Sequence, residues 1–420
     1  MRKIIVTLAF WVMVGSLTAE INSHTDGSPE GDVSKNMVAE ELVDSLNGLS
    51  LTVMQAIHDM NGEKRTGGEN YVFSPVSMAF DLGMVANGAS ENDQKSILGL
   101  LGANGYGMAR LNDVMGKFHD KFNISDSACV LSTENSVWCE KSVKLNKRFV
   151  RICKKVYRAP VFYEDLSTVR TMEKINAWTS EKTNGMIPCL LTEPMKSSTG
   201  MALVNATYVR GEWCHGFDKS RTRQRIFHNS DGTRGNCMMM TAVNMDLACY
   251  DCESFSAVRM ELGNGRLTMT FVLPDEKHSV RDVCGQMGHD FFSRWNEISD
   301  VKEFASVMIP VWDVEYGLDL KNVLPADISA GMADGGPVIS GIYQKARVRV
   351  DESGAEAAAA TISMIDYAPS EEMLAQRRKI VLDRPFMYFM TDVDTGVILF
   401  AGEICRFEPS ARRPPYQRRR

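Results

Sequence analysis

The chain has 420 residues, 44% of them hydrophobic and 24% charged, with a formal net charge of -6. This composition is globular, and its negative balance excludes a general nucleic-acid binder, because nothing offsets repulsion from phosphates. The length allows two or three domains, although a large mixed-sheet fold holds as many residues in one unit.

Arg2 and Lys3 open the chain, and Ile4 to Leu17 is nearly all apolar. That is the form of a signal peptide, with a cut after the small residue Ala19. Residues 1–19 are therefore read as a removed signal and 20–39 as an N-terminal extension. No other stretch approaches the roughly 20 apolar residues of a membrane span, so the expectation is a soluble, secreted, extracellular monomer. Export places the ten cysteines in an oxidising compartment. Cys249 and Cys252 are the only close pair, and no second pair completes a zinc motif. The cysteines are read as a structural disulfide or free buried thiols, with no metal site and no cofactor.

Gly62 to Asn70 is polar and glycine-bearing, and reads as a loop. Ser74 then caps a helix whose first turn accepts Pro75, and Val76, Ala79, Phe80, Gly83 and Met84 share one face of it. Asn123-Ile124-Ser125 is the favoured N-glycan acceptor, since the competing Asn205-Ala206-Thr207 lies in a central strand. Leu267 to Leu273 alternates as a strand stopped by Pro274. Ala346, Val348 and Val350 alternate with Arg347 and Arg349 in another. Phe386 to Phe389 and Val397 to Phe400 form a hairpin around Asp392 to Gly396. Helices dominate the first half and strands the second, which favours a single α+β domain over 40–409. The basic tail 410–420 is read as solvated, as are Lys117, Lys121, Lys154, Lys155 and Arg158, rather than as a glycosaminoglycan site.

No nucleophile elbow, zinc-protease helix or phosphate loop is present. An enzyme with a triad assembled from distant residues stays as a residual alternative. The unusual local feature is Ala357-Ala358-Ala359-Ala360, placed after a strand and Gly354, and before the β-branched Thr361 and Ile362. Alanine favours helix, yet one turn here is a poor place for a stable element. The run suits loop, helix or strand, and local rules leave linker and conformational switch equally open.

Lys345 to Thr361 resembles the strand and hinge that lead into the reactive-centre loop of serpins. The resemblance extends, in order, to Asn70 to Met84, Thr183 to Ile187, Leu203 to Trp213, Phe271 to Asp275 and Arg384 to Pro409. It implies an α+β serpin fold of three β-sheets with about nine helices and an exposed loop at about 352–380. It also implies a suicide-substrate inhibitor rather than an enzyme. A serine protease, chymotrypsin- or elastase-like, attacks the loop and forms an acyl-enzyme, and the cut loop enters the main sheet as a strand.

In that mechanism the hinge is Glu352, Gly354, Ala355, Glu356, Ala357, Ala358, Ala359, Ala360 and Thr361, with small residues where the chain must be buried. Ala355 departs from the hydroxyl residue usual at its position. Ser74, Ser77, Asn205, Trp213 and Gln344 fall where the sheet opens, with Gln344 standing where many members have His. Family spacing puts the bait bond at Ala368-Pro369, and a shift by one puts it at Tyr367-Ala368. The long stretch to Arg384 leaves room for Met373-Leu374 or Arg377-Arg378. The alternative within the family is a non-inhibitory carrier or binding protein, which Pro369 keeps open.

Overall fold

The computed structural model describes residues 40–62, 68–125, 127–287, 291, 302–324, 339–355 and 378–409. The signal peptide, the N-terminal extension, Glu356 to Thr361, the bait-bond candidates Tyr367, Ala368, Pro369, Met373, Leu374 and Arg377, and the basic tail lie outside the described residues, whereas Arg378 is described.

The first half carries α1 (Glu40–Gly62), β1 (Tyr71–Phe73), α2 (Pro75–Gly88), α3 (Glu91–Leu100) and α4 (Met108–Lys121). After these come β2 (Ile124–Ser125), β3 (Cys129–Glu140), α5 (Lys147–Lys155), β4 (Val161–Glu164), α6 (Val169–Lys182) and β5 (Met201–Glu212). Strands take over with β6 (Arg223–His228), β7 (Arg234–Asp251), β8 (Phe255–Leu262) and β9 (Leu267–Pro274), then a short α7 (Val280–Gln286). The rest is β10 (Lys302–Pro310), β11 (Trp312–Asp319), β12 (Ile339–Asp351), β13 (Gly354–Ala355), β14 (Arg378–Val381), β15 (Phe386–Asp392) and β16 (Ile398–Ile404).

The expected three sheets and nine helices are corrected to two sheets and seven α-helices among the described residues. The reason for the sheet count is β7, whose 18 residues pair with β6 over Arg234–Met239, with β10 over Met239–Ala248 and with β8 over Ala248–Asp251. One long strand thereby joins what would otherwise be two layers into a nine-stranded sheet. The second sheet has seven strands in the order β11-β12-β13-β5-β3-β2, with β4 on β3.

Helix α2 begins as its sequence demands: Ser74 is its N-cap, accepting from Ser77 N, and Pro75 occupies the first turn. It is buried on all faces rather than one, with only Asn87 half-buried, because it packs against β5, β12 and β3 on one side and β16 on another. The alternation read for β12 is present, with Ala346, Val348 and Val350 buried and Arg349 exposed. Asn184 and Gly185 turn with positive φ after α6, and Gly396 does so in the β15–β16 hairpin. No helix among the described residues is long and apolar enough to cross a membrane. The ten cysteines are all described, none is joined in a disulfide and seven are buried, so of the two readings the structure has buried thiols rather than a disulfide, and Cys249 and Cys252 are not bonded to each other.

Candidate functional site: the hinge and the seam below it

The parallel strands β5 and β12 are hydrogen-bonded side by side from Met201 and Ile339 up to Tyr208 and Arg347. Above that level they part. The chain leaving β12 turns back over Glu352 and Ser353 and enters the gap as β13, antiparallel to both neighbours. Gly354 pairs with Asp351 and Glu212, and Ala355 with Val350 and Gly211. The start of the hinge therefore already lies between the two strands.

Glycine is needed at that entrance. Gly354 has φ of 148°, and a Cβ on it would sit 2.1 Å from the Gly211 carbonyl oxygen. The turn is clamped by backbone and side-chain groups of the segment that follows β5. Trp213 Nε1 donates to Asp351 O at 2.9 Å, Trp213 N to Ser353 O at 3.0 Å, and Phe217 N to Glu352 O at 3.0 Å. Thr222 Oγ1 donates to Glu352 Oε1 at 2.7 Å. Trp213 itself is buried between Phe217 and Phe271. A base this rigid fixes the point from which a longer strand would run.

Lower down, a chain of buried polar groups crosses the seam. The Gln344 amide from β12 is bonded reciprocally to the backbone of Ser74, accepting from its N–H at 2.9 Å and donating to its carbonyl at 3.0 Å. Ser77 Oγ donates to Ser74 Oγ at 2.9 Å and shares a 2.7 Å hydrogen bond with Thr207 Oγ1 on β5. Thr207 donates to Asn205 Oδ1, and Asn205 donates to Asn135 Oδ1 on β3 at 2.7 Å. Buried polar groups cost free energy unless paired, so this chain is an internal fastener for a closed seam.

Four of the five residues expected at the sheet opening, Ser74, Ser77, Asn205 and Gln344, thus form one network, and Trp213 sits at the entrance, where the chain first passes between the strands. Thr207 and Asn135 were missed. The signal for Thr207 was in view, since it shares a strand face with Asn205 at a spacing of two. Asn135 carried none, because only strand pairing brings β3 beside β5. Asn205 is fully buried, which agrees with setting its glycan motif aside. At Asn123 the amide nitrogen points inward, donating to His119 O at 2.8 Å, so a sugar there requires that bond to break. Of the scattered cations, Lys117, Lys121 and Arg158 are in ion pairs with Asp113, Asp394 and Asp120.

The family model described as Serpin (serine protease inhibitor) matches residues 44–407. Serpin B6 of Pongo abelii is 31% identical over 363 residues, covering 80% of this chain and 92% of the relative. Among solved structures, an Arabidopsis serpin in its native stressed conformation superposes with a TM-score of 0.76 at 24% identity, covering 87% of this chain and 98% of that one. Human thyroxine-binding globulin with thyroxine superposes at 0.75 and 23% identity, covering 88% and 100%. Those two structures share the fold, while the family model runs from the first helix to just past the last strand: the chain belongs to the serpin family, whose members are mostly protease inhibitors and not enzymes.

Proposed function

We propose that this serpin is an inhibitor, secreted from the cell, that traps serine proteases by inserting its cut loop between β5 and β12. The observation that carries this reading is β13, which already lies antiparallel in the gap and defines the register of everything behind it. Continuing that register downward sets Glu356 opposite Arg349 and Arg210, Ala357 opposite Val348 and Val209, Ala359 opposite Ala346 and Thr207, and Thr361 opposite Gln344 and Asn205. Val348, Ala346, Gln344, Val209, Thr207 and Asn205 are buried. The incoming residues at those levels are therefore Ala, Ala and Thr, small enough to enter and uncharged. Glu356 falls on the solvent side between two guanidinium groups, where a carboxylate is welcome.

A carrier is the second reading, and one feature favours it. A cleft of about 460 Å³ opens beside β7, β8 and the β15–β16 turn, lined by Met245, Asp246, Arg259, Met260, Glu261 and Lys302. Its lining mixes apolar groups with five charged ones, and among these Lys302 and Glu261 already pair with each other at 3.2 Å. Mixing the purified protein with chymotrypsin-, elastase- and trypsin-like enzymes separates the two. An adduct that survives SDS, with the N-terminus of the released peptide, establishes inhibition and names the bond near Tyr367 or Ala368. Loop cleavage by every enzyme without an adduct would sink the inhibitor reading. Recovery from the culture medium of a chain beginning near Glu20 tests secretion.

A further inference from the structure

Asp81 lies in the middle of α2 with no exposed surface, and neither carboxylate oxygen has a hydrogen-bond partner. Burial pushes its carboxyl well above the ordinary range, so it is held as the neutral acid. An orphaned buried acid is costly and calls for a reason. On β3, Thr133 Oγ1 and Asn135 Nδ2 are also buried without partners. They stand beside Thr207 and Asn205 in the β3–β5 register.

The order of contacts along α2 locates the acid. Ser74 meets Gln344 on β12, and three residues later Ser77 meets Thr207 on β5. The first turn of α2 thus steps across the seam from one strand to the next. Asp81 follows Ser77 by four residues, on the same helix face and about 6 Å further along. Adjacent strands are spaced about 4.8 Å apart. Asp81 is therefore set one strand beyond Ser77, on the β3 side, and α2 does pack against β3.

Insertion requires β5 and β12 to part by one strand spacing. Helix α2 is tied to β12 by the reciprocal Gln344 bonds, but to β5 by the Ser77–Thr207 hydroxyl contact. The moving side is then β5 with β3 behind it, stepping along α2. We propose that Asp81 is the receiving group for that step: as β5 moves over, the Thr207 hydroxyl leaves Ser77 and accepts from the protonated Asp81 carboxyl, keeping its own hydrogen on Asn205 Oδ1, while the entering strand takes the vacated place above Ser77. Asp81 is a positioning residue, unpaired in the closed sheet and paired in the expanded one. The proposal rests on the insertion reading.

The test uses a non-target protease that nicks the loop, so that insertion follows without any inhibited enzyme. Thermal midpoints are measured for intact and nicked protein in the wild type, Asp81→Ala, Thr207→Val and the double variant. The expected result is that Asp81→Ala raises the midpoint of the intact form and lowers that of the nicked form by several degrees. The two substitutions are expected to be additive in the intact form and non-additive in the nicked form. Asp81→Asn, which keeps a donor, is expected to restore the nicked midpoint, and it replaces the alanine variant in the cycle if that one does not fold. Additivity in both forms overturns the role of Asp81 alone. A wild type whose midpoint does not rise on nicking overturns the insertion reading together with it.

Discussion

At Gly354 a single hydrogen decides whether the hinge can enter the sheet, because the Gly211 carbonyl occupies the place of any Cβ. Gly354→Ala is expected to convert the protein from inhibitor towards substrate, with the stoichiometry of inhibition rising about tenfold, equivalent to about 1.4 kcal/mol between the competing rates. Titration against a susceptible protease reads this directly, and unchanged stoichiometry refutes it. Gln344 works differently. Replacing it by Leu leaves the N–H and C=O of Ser74 buried without partners, a loss of about 2–4 kcal/mol that lowers the midpoint of the intact protein. The need for a glycine and for small residues after it was legible in the sequence through the family pattern. The clash that makes glycine necessary was not, since Gly211 is 143 positions away in the chain and meets it only through the pairing of β13 with β5.

At the scale of elements, the seam is two strands joined below and wedged apart above. Register, not composition, gives the alanine run its meaning under the proposed insertion: a strand continuing β13 turns its odd positions to the core and its even ones to solvent. Local rules left that run equally open to loop, helix and strand, because alanine is small enough for all three. The strand pairing supplies what those rules lacked, a lane opened by β13 above the closed seam, with a defined alternation. Glu356→Lys places a cation between Arg210 and Arg349 in the inserted state. It is expected to slow insertion and raise the fraction of loop cut without an adduct several-fold, whereas Glu356→Gln has a small effect. Gel quantitation of adduct against cleaved product checks both, and equal partition for Lys and Gln would count against the register.

For the whole molecule, nicking the loop is expected to raise the thermal midpoint sharply, as the closed sheet gains a strand. Stability also depends on pH through groups far from the hinge. Burial raises the Glu403 carboxyl on β16 from about 4.5 to about 8. The folded protein thus keeps a proton that the unfolded chain releases. That contribution is full below the unfolded value and is lost as pH rises through 8, by at most about 1.4 kcal/mol per pH unit. His58, 3.3 Å from Glu403, has its pKa lowered by burial, and its contribution is lost instead as pH falls below the unfolded histidine value. Tyr71, Cys284 and Cys405 are the other titratable groups around Glu403, and burial pushes all three up. Glu403→Gln is expected to flatten the midpoint–pH profile between about pH 4.5 and about 8, and an identical profile in both proteins would contradict this.

The hinge on which this protein turns was visible in one dimension, as a glycine followed by small residues behind an alternating strand. So were the capped start of α2, the hairpin at Gly396 and the alternation in β12, because each depends on neighbours a few residues away. Tertiary structure alone decided that β7 fuses two sheets, that Thr207 and Asn135 extend the fastener across three strands, and that Asp81 is buried in α2 without a partner. Those facts depend on which strands stand side by side. A sequence records which residues are small, polar or branched, but which distant residues meet is set by the packing of the whole chain.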